Sequence, residues 1–236
     1  MTTAIAAQGG PPQQGPPRNL QVLPRDMPRG QVMQVMRGFA GGLGVRCDYC
    51  HVEGPEKTMQ SMDFASDEKE TKKIAREMLR MAMDINTKYI TQTMGRTLTE
   101  RAQVGCITCH HGVPRPRTLQ AELAAAYDSA GADNAVAKYR ALREQFYGRA
   151  AYDFGEMSLV EVASDLGRKP DQRRDALRML QLNLEFYPKS AVTYTGLGSG
   201  SLQLGDTAAA IASFQRALDI DPDSPMAKRM LGVLKK

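Results

Sequence analysis

The chain has 236 residues, and its four cysteines and three histidines all fall in two short clusters. The first reads RCDYCH and contains Cys47, Cys50 and His51. The second reads GCITCHHG and contains Cys106, Cys109, His110 and His111. Each is a Cys-x-x-Cys pair followed at once by histidine. Such pairs hold zinc, run dithiol chemistry or anchor a haem. A Cys₄ zinc ribbon separates its pairs by roughly 15–20 residues. Here 55 residues lie between Cys50 and Cys106, and zinc gives the adjacent histidines no task. A dithiol centre goes with one pair beside a strand–helix–strand unit; this chain has two pairs and almost no strand pattern. Covalent haem attachment uses every residue. Two thiols add to the vinyl groups of one porphyrin, and the neighbouring imidazole ligates the iron. The expectation is two covalently bound haems c. Cys47 and Cys50 hold the first with His51 as its axial ligand, and Cys106 and Cys109 hold the second with His110.

Each iron has a further axial position. His111 is too close to His110 to reach over the same ring and reads as a surface residue. Methionine, present 14 times, is then the expected sixth ligand. The elements that carry the candidates are helical. Residues 26–43 form a predicted helix, with Asp26 as cap, Pro28 in the first turn and Gly41-Gly42 as stop. A second starts at the Asp67/Glu70 capping-box pattern and carries Ile74, Met78, Met81 and Ile85 at helical spacing, running to about Met94. Met27, Met33 and Met36 are candidates for the first iron; Met78, Met81, Met83 and Met94 for the second. Met33 and Met36 lie three residues apart on nearly one helix face, so periodicity does not separate them.

The segment VMRGFAGGLGVRCDYCH, Val35 to His51, resembles a haem segment of the cytochrome subunit of photosynthetic reaction centres. The likeness runs through Met36, Leu43, Gly44, Val45, Cys47, Cys50 and His51. KKIAREMLRMAMDIN (Lys72 to Asn86) and VGCITCHHG (Val104 to Gly112) are similar to the family's next helix and haem motif, through Ala75, Arg76, Met78, Met81, Ile85, Asn86, Val104, Thr108 and Gly112. The resemblance covers about residues 20–117. It implies Met36 as distal ligand of the first haem and Met78 as that of the second. Family members usually carry four haems in two such halves, and this chain has one half. Where a family histidine can serve a distant haem, it has Gln92.

Around these motifs the chain divides into three parts. Residues 1–19, rich in Pro, Gln and Gly, read as a disordered leader or signal remnant. Ala4 to Ala6 look like the tail of a cleavage site, which suggests a trimmed export signal; a plain flexible leader is the other reading. Residues 20–117 form the dihaem cytochrome domain, ended by GVPRPR (Gly112 to Arg117). Residues 118–236 read as helix–turn–helix repeats. Tyr194, Leu197-Gly198, Ala210, Phe214, Ala217 and Pro222 resemble a tetratricopeptide repeat, with Ser201 where Tyr is usual, and Pro188 lies one 34-residue period before Pro222. Looser copies are expected at Ala176–Pro188 and Leu123–Phe146. The predicted fold class is therefore all-α.

The formal charge is +5. Residues 1–118 hold 16 Lys+Arg against 11 Asp+Glu, and residues 119–236 hold 15 against 15. The basic excess lies with the cysteines and favours an acidic redox partner. No basic groove with interleaved aromatics points to nucleic acid, and no apolar run is long enough to span a membrane. His/Met ligation leaves no open iron position, so the expected role is electron relay between extracytoplasmic partners, not catalysis. The repeats are expected to dock a partner or a second copy, head to tail, into a filament. Two other classes stand beside this: a dihaem peroxidase, which needs an open iron and a distal acid–base pair, and a zinc-stabilised interaction scaffold.

Overall fold

The computed structural model describes residues 16–92 and 103–235. The start of the leader and Met94 lie outside them. Among the described residues the architecture is all-α, with one isolated bridge between Val52 and Asp63. The chain separates between Pro116 and Arg117 into two compact units.

In the first unit, α1 spans Arg29–Leu43. It starts after Pro28, whose missing N–H costs nothing at a helix entry, and Asp26 does not cap it. It ends at Gly44, not at Gly41-Gly42. Gly44 takes φ +66°, and its N–H donates to the Ala40 carbonyl. Such a left-handed cap strains any residue with a Cβ, so the stop falls on this glycine. Gly42 is buried inside the helix. A 3₁₀ turn, Cys47–Tyr49, follows.

Helix α2 spans Glu70–Asp84 and continues through a π-helical turn, Ile85–Ile90. Its N-cap position is Lys69 and no side chain caps it. The expected capping box is absent because Asp67 binds the Lys72 and Arg76 side chains instead. Helix α3 is short, Cys106–His110.

In the second unit, α4 spans Leu119–Phe146 but loses helical geometry at Ala130 and Gly131, where φ reaches +75° at the glycine. Beyond it come α5 (Glu156–Gly167), α6 (Arg173–Phe186), α7 (Ala191–Gln203), α8 (Thr207–Ile220) and α9 (Pro225–Leu234). Ser190 and Asp206 cap α7 and α8, accepting from the Thr193 and Ala209 N–H groups. Its helices enclose two apolar cores. One is built on Leu119, Leu123, Tyr139, Leu159 and Met179, the other on Ala210, Phe214 and Ala217. Gly198 of α7 lies so close to the Phe214 ring that a Cβ there would stand 2.8 Å from it. Ser201, where the repeat pattern has Tyr, is buried.

Candidate functional site

The first motif opens onto a cavity of about 720 Å³. Cys47, Cys50 and His51 line it on one side, and Met33, Met36 and Phe39 of α1 on another. Both methionines of the ambiguous pair therefore face the same space. Helix α2 contributes Lys72, Ala75, Arg76 and Leu79, and the segment 59–65 contributes Met59, Met62 and Phe64. Backbone contacts fix the motif itself. The Thr71 hydroxyl donates to the Tyr49 carbonyl at 2.5 Å, and Lys69 Nζ donates to the Asp48 carbonyl. Phe64 packs edge-on against His51 with ring centroids 5.0 Å apart.

His51 is half-buried, and burial pushes its pKa down, with the nearby Lys72 charge adding to the effect. Nδ1 is buried and makes no hydrogen bond of good geometry, although the Phe64 carbonyl lies close enough to oppose part of that shift. A neutral imidazole is the form that ligates a metal. Burial also pushes the Cys50 and Cys106 thiols up. A reactive dithiol is held by the opposite shift. Among the described residues, no group of three or more His, Cys, Asp or Glu is placed to hold a metal ion. The four cysteines thus do not assemble the Cys₄ cluster of the zinc alternative.

The cavity wall is cationic. Arg18, Arg29, Arg46, Lys72 and Arg76 line it, with no Asp or Glu among the lining residues. Lys72 is buried, and its Nζ donates to the carbonyls of Phe64, Ala65 and Ser66 at 3.0, 3.1 and 2.7 Å. Asp67, behind the wall, pairs with Lys72 at 3.1 Å and Arg76 at 2.8 Å, and accepts from Gln21 at 3.0 Å. Asn19 and Gln21 thereby tie the entering segment over the cavity, Asn19 Nδ2 also donating to the Ala65 carbonyl at 2.6 Å. The Arg76 guanidinium, helped by Asn19 and Lys72, holds the Asp67 carboxyl well below the usual carboxylate range. A depressed carboxylate stabilises the fold above its unfolded pKa of about 3.9, and the contribution is lost as pH falls toward the folded value. Asp67→Asn should therefore melt at a lower temperature at pH 7 and lose less further stability than wild type below about pH 4. Thermal melts across pH check this; identical acid slopes in the two proteins would contradict it.

The second motif sits on α3. The Nδ1–H of His110 donates to the Val113 carbonyl at 2.9 Å, which leaves Nε2 free as the ligating nitrogen. Asn86, in the π-helical turn that continues α2, holds the approach to α3 through both backbone groups of Val104. Its Nδ2 donates to the Val104 carbonyl and its Oδ1 accepts the Val104 N–H, each at 2.8 Å. Helix α2 and the π-helical turn after it thus anchor both motifs, the first through Lys69 and Thr71 at the helix start and the second through Asn86. The stripe expected on α2 is open: Ile74, Met78 and Met81 are 52%, 39% and 47% exposed, and Ile107 of α3 is 54% exposed. Met78 is absent from the wall of the first cavity, to which neighbouring Leu79 belongs. His111 is exposed, as expected, with a left-handed backbone at φ +47°.

These residues fit a haem at the first motif. The volume lies within the roughly 300–1,000 Å³ of cofactor sites. Apolar walls suit a porphyrin, the cationic wall suits its two carboxylates, and a neutral imidazole stands beside the paired thiols. At the second motif the hydrogen bond of His110 Nδ1 and the exposed Ile107 beside it are compatible with the same group. The ion pairs and hydrogen bonds of Asp67 and Lys72 were not readable from the motifs. Asn86 had a signal only in the family likeness.

The comparisons agree with this chemistry. A family model described as photosynthetic reaction centre cytochrome C subunit matches residues 2–159. It therefore reaches past the first unit, through α4 and into α5, beyond the 20–117 expected from the motifs. A cytochrome c-554 of Chloroflexus aurantiacus is 36% identical over 97 residues, 41% of this chain and 20% of that protein. A photosynthetic reaction center cytochrome c subunit of Rubrivivax gelatinosus is 36% identical over 73 residues, 31% of this chain and 16% of that protein. The chain thus spans about a fifth or less of the length of these curated relatives.

Proposed function

The chain belongs to the photosynthetic reaction centre cytochrome c subunit family, and from that premise we propose that it is a dihaem electron relay working outside the cytoplasm. The family consists of multihaem c-type cytochromes that transfer electrons, with covalently bound haem c. The finer reading is two haems, on Cys47/Cys50/His51 and Cys106/Cys109/His110, with Met36 and Met78 as distal ligands. Each bound haem would supply a one-electron ferric/ferrous couple. The chain's own residues do the rest. Cys47, Cys50, Cys106 and Cys109 would hold the two haems through thioether bonds, His51 and His110 would ligate the irons, His110 through Nε2, and Met36 and Met78 would supply the sulfur that keeps substrate away. The apolar walls of the first cavity would shield its haem from water and the cationic wall would favour the electron-rich state, both of which tune potential.

The observation that carries this reading is the first cavity, where the paired thiols, a half-buried histidine and two methionines face one space of porphyrin size. Covalent haem attachment normally takes place outside the cytoplasm, which supports an extracytoplasmic site. No helix among the described residues is long and apolar enough to cross a membrane. The basic excess of the cysteine half favours acidic redox partners.

The second unit is read as a tetratricopeptide-like docking module. Its helices recur with the expected period: α6 begins at Arg173 and α8 at Thr207, α7 at Ala191 and α9 at Pro225. Each pair of starts is 34 residues apart, the length of that repeat. Such hairpins present surfaces for a partner protein or a second copy. A reductive titration of the oxidised protein tests the relay directly. It should consume two electrons per chain with both irons staying low-spin throughout. Uptake of one electron, or a high-spin iron that turns over peroxide, would refute the relay as stated.

A further inference from the structure

The two attachment motifs meet at glycines. Gly42, in the last turn of α1, is buried against α3. A Cβ on it would lie 2.7 Å from the Cβ of Cys106 and 2.9 Å from the Ile107 nitrogen. A Cβ on Gly44 would lie 2.2 Å from the Gly112 carbonyl oxygen. The backbones are also bonded, the Gly112 N–H donating to the Gly42 carbonyl at 2.9 Å. Ordinary non-bonded contacts between heavy atoms sit at about 3.5–4.0 Å. A side chain at either position must therefore push α3 away from the end of α1 by on the order of 1 Å. Gly41, one residue earlier, has nothing within 4 Å of its would-be Cβ. The close approach is thus specific to Gly42 and Gly44.

The consequence lies in what these backbones carry. Cys47 follows Gly44 by three residues, and Cys106 is the residue that Gly42 touches. We propose that Gly42 and Gly44, locked to Gly112, are positioning residues for electron transfer between the two haems. By letting the Cys106 attachment point seat against the end of α1, they set the spacing between the two redox centres. An electron crossing that gap oxidises one ferrous iron and reduces the other ferric iron, with no bond made or broken and no proton moved. The inference rests on the reading that both motifs carry a haem.

The test is Gly42→Ala in the full, haem-loaded chain, with Gly41→Ala as control. The readout is the magnetic interaction between the two ferric irons in frozen oxidised protein, together with the separation of the two midpoint potentials. Gly41→Ala should match wild type. Gly42→Ala should retain two low-spin haems while its magnetic interaction weakens and its potentials move. An interaction unchanged in Gly42→Ala, with both haems attached, overturns the proposal. The wild-type protein supplies a check independent of the variant's folding: two haems with no measurable interaction also overturn it. A wild-type chain that carries fewer than two haems instead refutes the functional reading itself.

Discussion

A chain carrying Cys47→Ala together with Cys50→Ala is expected to mature with one haem and to lose the folded first unit. The reasoning starts from how little else holds that unit together. Among its described residues the buried apolar side chains are Val32, Met62 and Val113, while the second unit buries the rest of the core. What the first unit has instead is a cavity of about 720 Å³ walled by Met33, Met36, Phe39, Phe64 and Leu79. Without a group to fill it, that space leaves α1 and α2 with few apolar contacts to each other, in a unit whose own buried side chains are too few to replace them. Haem absorbance per chain should fall to about half of wild type, since one of two attachment motifs remains. Helical circular dichroism should fall, and proteolysis should cut within residues 16–92 while sparing the second unit. A double variant with full haem content would remove Cys47 and Cys50 from the site.

The second large effect is on potential. Met36→Ala should abolish the low-spin His/Met signature of one haem and lower its midpoint potential by tenths of a volt, within the ~0.8 V over which axial ligands tune haem. Thioether sulfur favours the ferrous state relative to water or an anionic ligand. Met33 lines the same cavity and sits three residues away on the same helix, so Met33→Ala is the necessary companion. It should leave the His/Met signature in place and change stability instead. Optical and magnetic spectra of the two variants, with a redox titration of each, check this. If Met33→Ala produces the spectral loss and Met36→Ala does not, Met33 is the ligand.

How far the sequence discloses this molecule depends on the range of the interaction. The two Cys-x-x-Cys-His motifs stand out in the sequence because the chemistry proposed for them is local: five consecutive residues would span one porphyrin edge. The α-helical class was legible from the stripe Ile74, Met78, Met81 and Ile85. Ends were harder. Asp67 has the residue type of a cap, but it lies within reach of Lys72 and Arg76, and two cations outweigh one backbone N–H. Gly41, Gly42 and Gly44 are alike in the sequence. Only the approach of α3, some 60 residues later, separates the stop signal at Gly44 from the packing glycine at Gly42. The cationic wall was hidden for the same reason, since Arg18, Arg29, Arg46, Lys72 and Arg76 come from four separate segments. Asn86 bridges to Val104 across the chain, and nothing in its neighbours announces that.

The account stands on two covalent haems, and the most direct measurement is the intact mass of the wild-type chain, matured where haem-attachment machinery is supplied, followed by peptide mapping. It should show two haem additions per chain, one on the peptide with Cys47 and Cys50 and one on the peptide with Cys106 and Cys109. A mass with no haem addition, or with both motifs unmodified and zinc bound instead, would contradict it.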